Sequence, residues 1–315
     1  MDKLPSEKVK RKILVKKEVK TNRVKDRTAE ELIDYGIVNL DKPQGPTSHQ
    51  VSGYVQKILK LKKAGHSGTL DPKVTGVLPT ALGKATRIVQ ALIPAGKEYI
   101  CIMHVHKDIE EQKLRKTIRS FKGKIKQKPP IRSAVKRVER FRKIYYIDIM
   151  EIEGKDVLFK VGCEAGTYIR KLCDDIGKKL GTGAHMAELR RTKVGPFDEK
   201  TLVTLQDLTD AYWYYKKEGK EEYIKKCIQP IENAIVHLPK VWVLDNAVES
   251  LCNGVNLKVP GISKLNDGIE PDQEVAVMSL ADELVAIGRA KLTSRKMMDQ
   301  EKGIAVKAHK VFMKN

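Results

Sequence analysis

A chain of 315 residues, 41% hydrophobic and 32% charged, suits one large domain or two smaller ones and buries a core without staples. Its five cysteines include no C-x-x-C pair, which argues against a zinc ribbon or a thioredoxin-type site and fits a reducing compartment; no apolar run approaches the roughly 20 residues of a membrane span. The net charge is +21, of which residues 1–28 carry +7 and residues 113–143 carry +13, the pattern of a polyanion-binding surface, with nucleic acid the favoured partner, or of a solvated charge run.

In chain order, residues 1–28 read as an extended basic arm. Tyr35 to Ser48 reads as a short strand leaving through a Pro/Gly turn, with Ser48 as helix N-cap. Val51, Tyr54, Val55, Ile58 and Leu59 then mark one face of a helix that ends in the Lys-Lys-Ala-Gly stretch at 62–65. A turn-rich segment from Gly65 to Pro79 leads to a predicted helix over 81–93 and a strand over 97–106. A helix over 111–121 precedes a basic loop at Pro129-Pro130, and residues 144–153 and 157–163 form a hairpin. In the +13 segment Leu114, Ile118, Phe121, Ile125, Ile131, Val135, Val138 and Phe141 interleave with the charge, so it is more than a solvated tail.

Ile169, Leu172, Cys173, Ile176 and Leu180 make a further helical stripe, closed by Gly181. Near Leu238-Pro239 the character changes. A short helix over 245–252 is followed by strands at 255–259, 274–279, 284–292 and 304–312, the pattern of a small β-barrel. Strands and helices mix without alternating, so the fold class is α+β: a mixed, largely antiparallel sheet flanked by helices, with the barrel appended. The boundaries are an arm at 1–28, a main domain at 29–237 whose basic loop region covers about 122–143, and a β domain at 238–315.

The most unusual stretch is Gly65-His-Ser-Gly-Thr-Leu-Asp-Pro-Lys-Val-Thr-Gly76. Three glycines let backbone approach a ligand closely, although Asp71-Pro72 is equally a helix N-cap with proline at N1. Phosphate loops fail on spacing, since Leu78 stands where the glycine paired with Gly83-Lys84 belongs. A zinc deaminase lacks its P-C-x-x-C. His104 and His106 share a strand face with no further ligand evident, and read as packed or solvent-edge histidines, so no metal is assigned.

These residues resemble the catalytic motif of the TruB family of pseudouridine synthases: Gly65-His66-Ser67-Gly68-Thr69-Leu70-Asp71-Pro72, then Thr75-Gly76-Val77-Leu78-Pro79. The run from Asn39 to Ser48 resembles the family's first motif, Lys97-Glu98-Tyr99 its tyrosine motif, and Gly166-Thr167-Tyr168-Ile169-Arg170-Lys171-Leu172 its arginine motif. All four occur in the family's order, and the β-rich end resembles a PUA domain. The wording from Pro129 to Val138 and from Cys252 to Gly261 is similar to the dyskerin branch in its archaeal form, the catalytic subunit of box H/ACA ribonucleoproteins.

That resemblance implies an isomerase without a cofactor that converts uridine to pseudouridine in rRNA, and in tRNA as well, directed by a box H/ACA guide RNA. Asp71 becomes nucleophile or base, Arg170 its partner, and Tyr99 the residue that stacks on uracil and takes the carbon 5 proton. His66 would fill the space the flipped base leaves, and Tyr168 and Leu172 would wall the pocket. Lys42 and Pro43 would support the catalytic loop. Arg132, Lys136, Arg137 and Arg140 would meet phosphates from a thumb loop. The PUA domain would hold the guide's 3′ ACA end, with Lys258 and Arg289 in contact. The arm would return to the PUA domain through Ile13, Leu14 and Val15. Small H/ACA proteins are the implied partners, no membrane is involved, and the expected location is the cytoplasm. Charge and barrel alone would fit a non-catalytic RNA-binding scaffold, and the chemistry alone a stand-alone tRNA enzyme.

Overall fold

The computed structural model describes residues 3–5, 7, 11–19, 26–129 and 137–313. Its strands are β1 (Ile13–Val15), β2 (Gly36–Lys42), β3 (Ala64–His66), β4 (Thr75–Leu82), β5 (Lys97–Val105), β6 (Gly123–Gln127), β7 (Arg140–Glu153), β8 (Asp156–Cys163) and β9 (Ala184–Val194). They continue with β10 (Phe197–Asp198), β11 (Gln229–Pro230), β12 (Lys240–Val243), β13 (Leu257–Lys258), β14 (Ile262–Asn266), β15 (Glu274–Met278), β16 (Leu284–Ala290) and β17 (Ile304–Val311). The α-helices are α1 (Ala29–Tyr35), α2 (Ser48–Leu59), α3 (Val89–Leu92), α4 (Glu111–Arg119), α5 (Ile169–Leu180), α6 (Leu205–Glu218), α7 (Glu221–Cys227), α8 (Asp245–Cys252) and α9 (Ser294–Asp299).

The larger sheet runs β11-β2-β4-β9-β5-β8-β7-β6, with β3 added to β4 and β10 to β9; the smaller runs β1-β14-β12-β15-β16-β17-β13. Among the described residues the named pairs are antiparallel except two short parallel registers, β4 with β9 and β12 with β15. The α+β class of the sequence reading therefore holds. Apolar side chains sort by face. Val38 and Leu40 pack under α1, α2, α6 and α7. Tyr99, Cys101 and Met103 of β5 pack under α4 and α5. A third cluster joins Ile37 and Val77 of the large sheet to Trp242, Met278 and Ile287 of the small one, so the two sheets share a continuous core.

The arm crosses between them. Leu4 is buried, close to Gly96 of the large-sheet domain, whereas Ile13, Leu14 and Val15 pair as β1 with β14 of the small sheet. Lys16 then donates to the Met297, Met298 and Gln300 carbonyls at 2.7–2.9 Å, closing the end of α9.

Several local readings change. Residues 81–93 are not one helix: Ala81 and Leu82 finish β4, a 3-10 turn spans Gly83–Ile88, and only Val89–Leu92 is α-helical. The cause is that β4 lies between β2 and β9, is buried on both faces, and so lacks a strand's alternation. Helix α2 stops at Leu59, closed by Lys60 in the left-handed region (φ 52°), and Ala64–His66 becomes edge strand β3. Thr47, not Ser48, is its N-cap, in a capping box with Gln50. The hairpin's first strand starts four residues early, at Arg140.

Candidate functional site

The loop from Ser67 to Val74 sits between β3 and β4, and its shape is imposed from below. Lys42, at the end of β2, is fully buried and donates to the carbonyls of Pro43 (2.8 Å), Pro72 (3.1 Å) and Val74 (2.8 Å). A buried ammonium is tolerable only when its N–H groups are met, and here three carbonyls meet them. Burial first, then the nearby Arg191 charge, lower its pKa, and the negative charge of Asp71 opposes them.

Ser48, released from capping, accepts the Leu70 N–H at 2.8 Å and donates back to the Leu70 carbonyl at 3.2 Å. The Gly45 N–H donates to the Pro72 carbonyl at 3.0 Å. Both ends of the turn that carries Asp71 are thus held by the segment 42–48. One register further, Arg190 of β9 forks onto both carboxylate oxygens of Asp41 at 3.0 Å.

Asp71 projects from this loop onto Arg170, with Nη2 to Oδ2 at 3.0 Å and the two side chains 51% and 55% exposed. Arg170 lies in the first turn of α5, where no side chain caps the helix. Gln127 of β6 holds the junction instead, accepting the Tyr168 N–H (3.0 Å) and donating to its carbonyl (3.1 Å). An exposed ion pair contributes little to stability, so its fixed position reads as a property of the site.

Beneath lies Tyr99, 7% exposed, the third residue of β5. Burial raises its phenol pKa, and the Arg191 guanidinium, hydrogen-bonded to it, pulls it back down; the charge of Asp71 raises it further. Arg191 is 1% exposed, donating from Nε to the Val77 carbonyl (2.8 Å) and from Nη2 to the Gly68 carbonyl (3.1 Å). One buried cation therefore joins the catalytic loop, β4 and the tyrosine. Gly76 permits this: at φ 102°, any Cβ there would lie 2.2 Å from the Arg191 carbonyl oxygen.

The structure thus brings Asp71, Arg170 and Tyr99 to one place. His66 stands at the end of β3, half-buried, with Nδ1 accepting the Gly68 N–H at 3.4 Å. Burial first, then Arg191 and His49, lower its pKa, which favours a neutral imidazole. Tyr168 lines a cavity of about 160 Å³ with Gln127, Pro129, Arg140, Arg142 and Gly166. Leu172 is fully buried in the cluster under α5, behind the pocket rather than on its wall, because its position in the helix faces the sheet.

Arg137 is exposed and donates to the Pro129 carbonyl at 3.4 Å, whereas Arg132 and Lys136 lie outside the described residues. Lys258 and Arg289 are exposed on β13 and β16 of the small sheet. His104 and His106 sit at the solvent edge, joined by His185, whose Nδ1 is 2.9 Å from His106 Nε2, while His104 bonds Asp156. Among the described residues no group of three or more His, Cys, Asp or Glu is placed to hold a metal ion.

Two residues have buried roles that the sequence reading does not assign, although Lys97 stands in the tyrosine motif. Arg191, in Leu-Arg-Arg-Thr, looks like any charged pair on a strand, and only the place of β9 between β4 and β5 shows it to be buried. Lys97 is buried too and donates to the Ile93 and Ala95 carbonyls at 2.8 Å, its pKa lowered to about 7 by burial first and Arg191 next.

Four family models match the chain: a DKCLD (NUC011) domain over 2–52, the N-terminal domain of TruB family pseudouridylate synthases over 56–169, the C-terminal domain of tRNA pseudouridylate synthase B over 170–236, and a PUA domain over 239–312. The chain is 57% identical to the probable tRNA pseudouridine synthase B of Pyrococcus horikoshii, over 98% of this chain and 95% of that one. It is 53% identical to the protein of the same name from Methanopyrus kandleri, over 96% and 91%. Among solved structures it is similar to a chain in a Cbf5-Nop10-Gar1 complex (TM-score 0.93, 55% identity, covering 99% of this chain and 97% of that one). It is also similar to a chain in an H/ACA ribonucleoprotein bound to a substrate RNA containing 2′-deoxyuridine (TM-score 0.92, 54% identity, 98% and 96%).

Proposed function

Because this chain belongs to the TruB family of pseudouridine synthases, and is thus an isomerase acting on RNA uridine, we propose that its targets are chosen by base pairing to a box H/ACA guide RNA and that Asp71 is its catalyst. The observation that carries the catalytic part is the Asp71–Arg170 pair at 3.0 Å above the buried Tyr99–Arg191 pair. The reaction breaks the bond between uracil and ribose, turns the base, and rejoins it through carbon 5. It needs neither redox chemistry nor a group donor.

Asp71, oriented by Arg170, acts as nucleophile or base. The target uridine leaves its stack at a cost of a few kcal/mol, and His66, neutral and beside the loop, fills the space it vacates. Tyr99 lies under the base; having lost its own proton to water it acts as the phenolate, takes the proton that carbon 5 gives up and becomes the neutral phenol, while N1 of the rejoined base takes a proton from water. Arg191 stabilises the phenolate before that transfer, since its charge opposes what burial does to the pKa.

The small sheet, with Lys258 and Arg289 exposed, serves as the PUA domain that holds the guide's 3′ end; Arg132, Lys136, Arg137 and Arg140 grip phosphates. The domains are an arm at 1–28, a catalytic domain at 29–237 and the PUA domain at 238–315. Small H/ACA proteins like those in the Nop10 and Gar1 complexes bind the catalytic domain. The enzyme works in the cytoplasm, and among the described residues no helix is long and apolar enough to cross a membrane.

The relatives named as tRNA enzymes favour a second activity on tRNA without a guide. Tritium release from RNA labelled at uridine carbon 5 separates the two. Release that requires the guide and partner proteins supports the main reading, and equal release from tRNA alone overturns it.

A further inference from the structure

Strand β7 alternates, so Arg140, Arg142 and Ile144 point to one face. Ile144 belongs to the same cluster as Tyr99 and Ile169, which makes this the face of the sheet that carries Tyr99 and packs under α4 and α5. Neighbouring β8 ends at Cys163, opposite Ile144, so Arg142 extends past it and lies over Gly166. A Cβ on Gly166 would sit 3.1 Å from Arg142 Nε, and Gly166 itself has φ 79°, so a bare α-carbon is what lets the guanidinium lie flat there.

Nη1 donates to the Phe141 carbonyl at 2.9 Å and stands 3.6 Å from Glu164, while Nε is buried with no hydrogen-bond partner among the described residues. A fixed guanidinium with an unmet buried donor calls for an explanation. It lines the cavity shared with Arg140, Gln127 and Tyr168, whose lining contains no carboxylate among the described residues. At about 160 Å³ the cavity falls below the roughly 300–1,000 Å³ of pockets for drug-sized molecules. It admits a tetrahedral anion more readily than a base. Gly166 and Arg170 are four residues apart, so the cavity lies within about 14 Å of chain from the Asp71–Arg170 pair.

We propose that Arg142, with Arg140 beside it, holds a single phosphodiester of the RNA strand next to the target uridine. The inference rests on the reading above that the cleft takes RNA uridine. A planar guanidinium grips a phosphate through two parallel hydrogen bonds, which a lysine cannot reproduce. Such a contact would fix the register of the strand while the base turns, and would contribute to affinity rather than to the chemical step.

The test scans neutral methylphosphonates across the three phosphates on each side of the target uridine, in single-turnover reactions of the full chain with guide RNA and partner proteins. One position should cost the native chain about tenfold in half-saturating substrate concentration with the maximal rate kept. Arg142→Met should cost about the same on unmodified RNA and be insensitive to the methylphosphonate at that position alone. Arg142→Lys, measured alongside so that the test survives if the Met variant fails to fold, should fall between and keep part of the sensitivity. Equal sensitivity at every position in all three proteins, or no sensitive position, would overturn the proposal. Failure of the native chain to convert unmodified RNA would instead overturn the reading beneath it.

Discussion

The large sheet beneath Asp71 and the face of the small sheet both carry cations, but they hold them differently. Under the cleft Lys42, Lys97 and Arg191 are buried and their N–H groups are spent on backbone carbonyls. On the small sheet Lys258 and Arg289 stand in solvent over a core of aliphatic residues such as Val277 and Val306. Burying a cation costs desolvation and is tolerated only with full pairing; a solvated one costs almost nothing and moves freely. The difference matches two tasks. Reaction needs a carboxylate and a phenol fixed in place, whereas holding a phosphate backbone needs charge density.

Substitutions should separate the two regions. The largest effect belongs to Asp71→Asn, which keeps shape and removes the charge: single-turnover tritium release should fall at least about 10³-fold while guide RNA affinity stays within twofold. Tyr99→Phe should slow conversion by about 10²-fold, and uridine deuterated at carbon 5 should then react more slowly than normal uridine. Arg191→Met should show the same isotope effect with a smaller loss, about tenfold, because the phenol remains but its counter-charge is gone. Arg191→Lys should recover part of it. If Arg191 were only structural, the variant would melt earlier without any isotope effect.

How far the sequence led depends on whether a residue's role is local. Asp71, Tyr99 and Arg170 stand in motifs whose residue types survive without the fold, and the structure assembles them. Ser48 was read as a cap because serine before a helix commonly is one; only the neighbouring loop shows that Thr47 caps and Ser48 holds Leu70. Arg191 was invisible, since charge on a strand reads as exposed until β9 is placed between β4 and β5. Leu172 matched the arginine motif, yet its place on α5 turns it into the core. The segment 77–82 misled because a strand buried on both faces carries no period.

Smaller effects sharpen the contrast. Lys258→Ala and Arg289→Ala should each weaken guide RNA binding a few-fold and reduce the slope of log affinity against log salt by about one, leaving the rate at saturating guide unchanged. The smallest effect is one of pH. The Lys97 pKa falls from 10.5 to about 7 in the folded chain, so between those values the unfolded chain binds the extra proton. Its contribution to stability should therefore rise as pH goes from about 7 to about 10, and be at its most unfavourable below 7. Melting temperature followed over that range should climb less steeply in Lys97→Met than in the native chain.

The most direct measurement places both regions in one experiment: single-turnover rate at saturating guide and guide RNA Kd, for Asp71→Asn and for the Lys258→Ala/Arg289→Ala double variant. The division of labour predicts that the first loses rate and keeps Kd, and that the second loses Kd and keeps rate. A double variant that slows the chemical step at saturating guide, or an Asp71→Asn chain that still converts uridine, would contradict it.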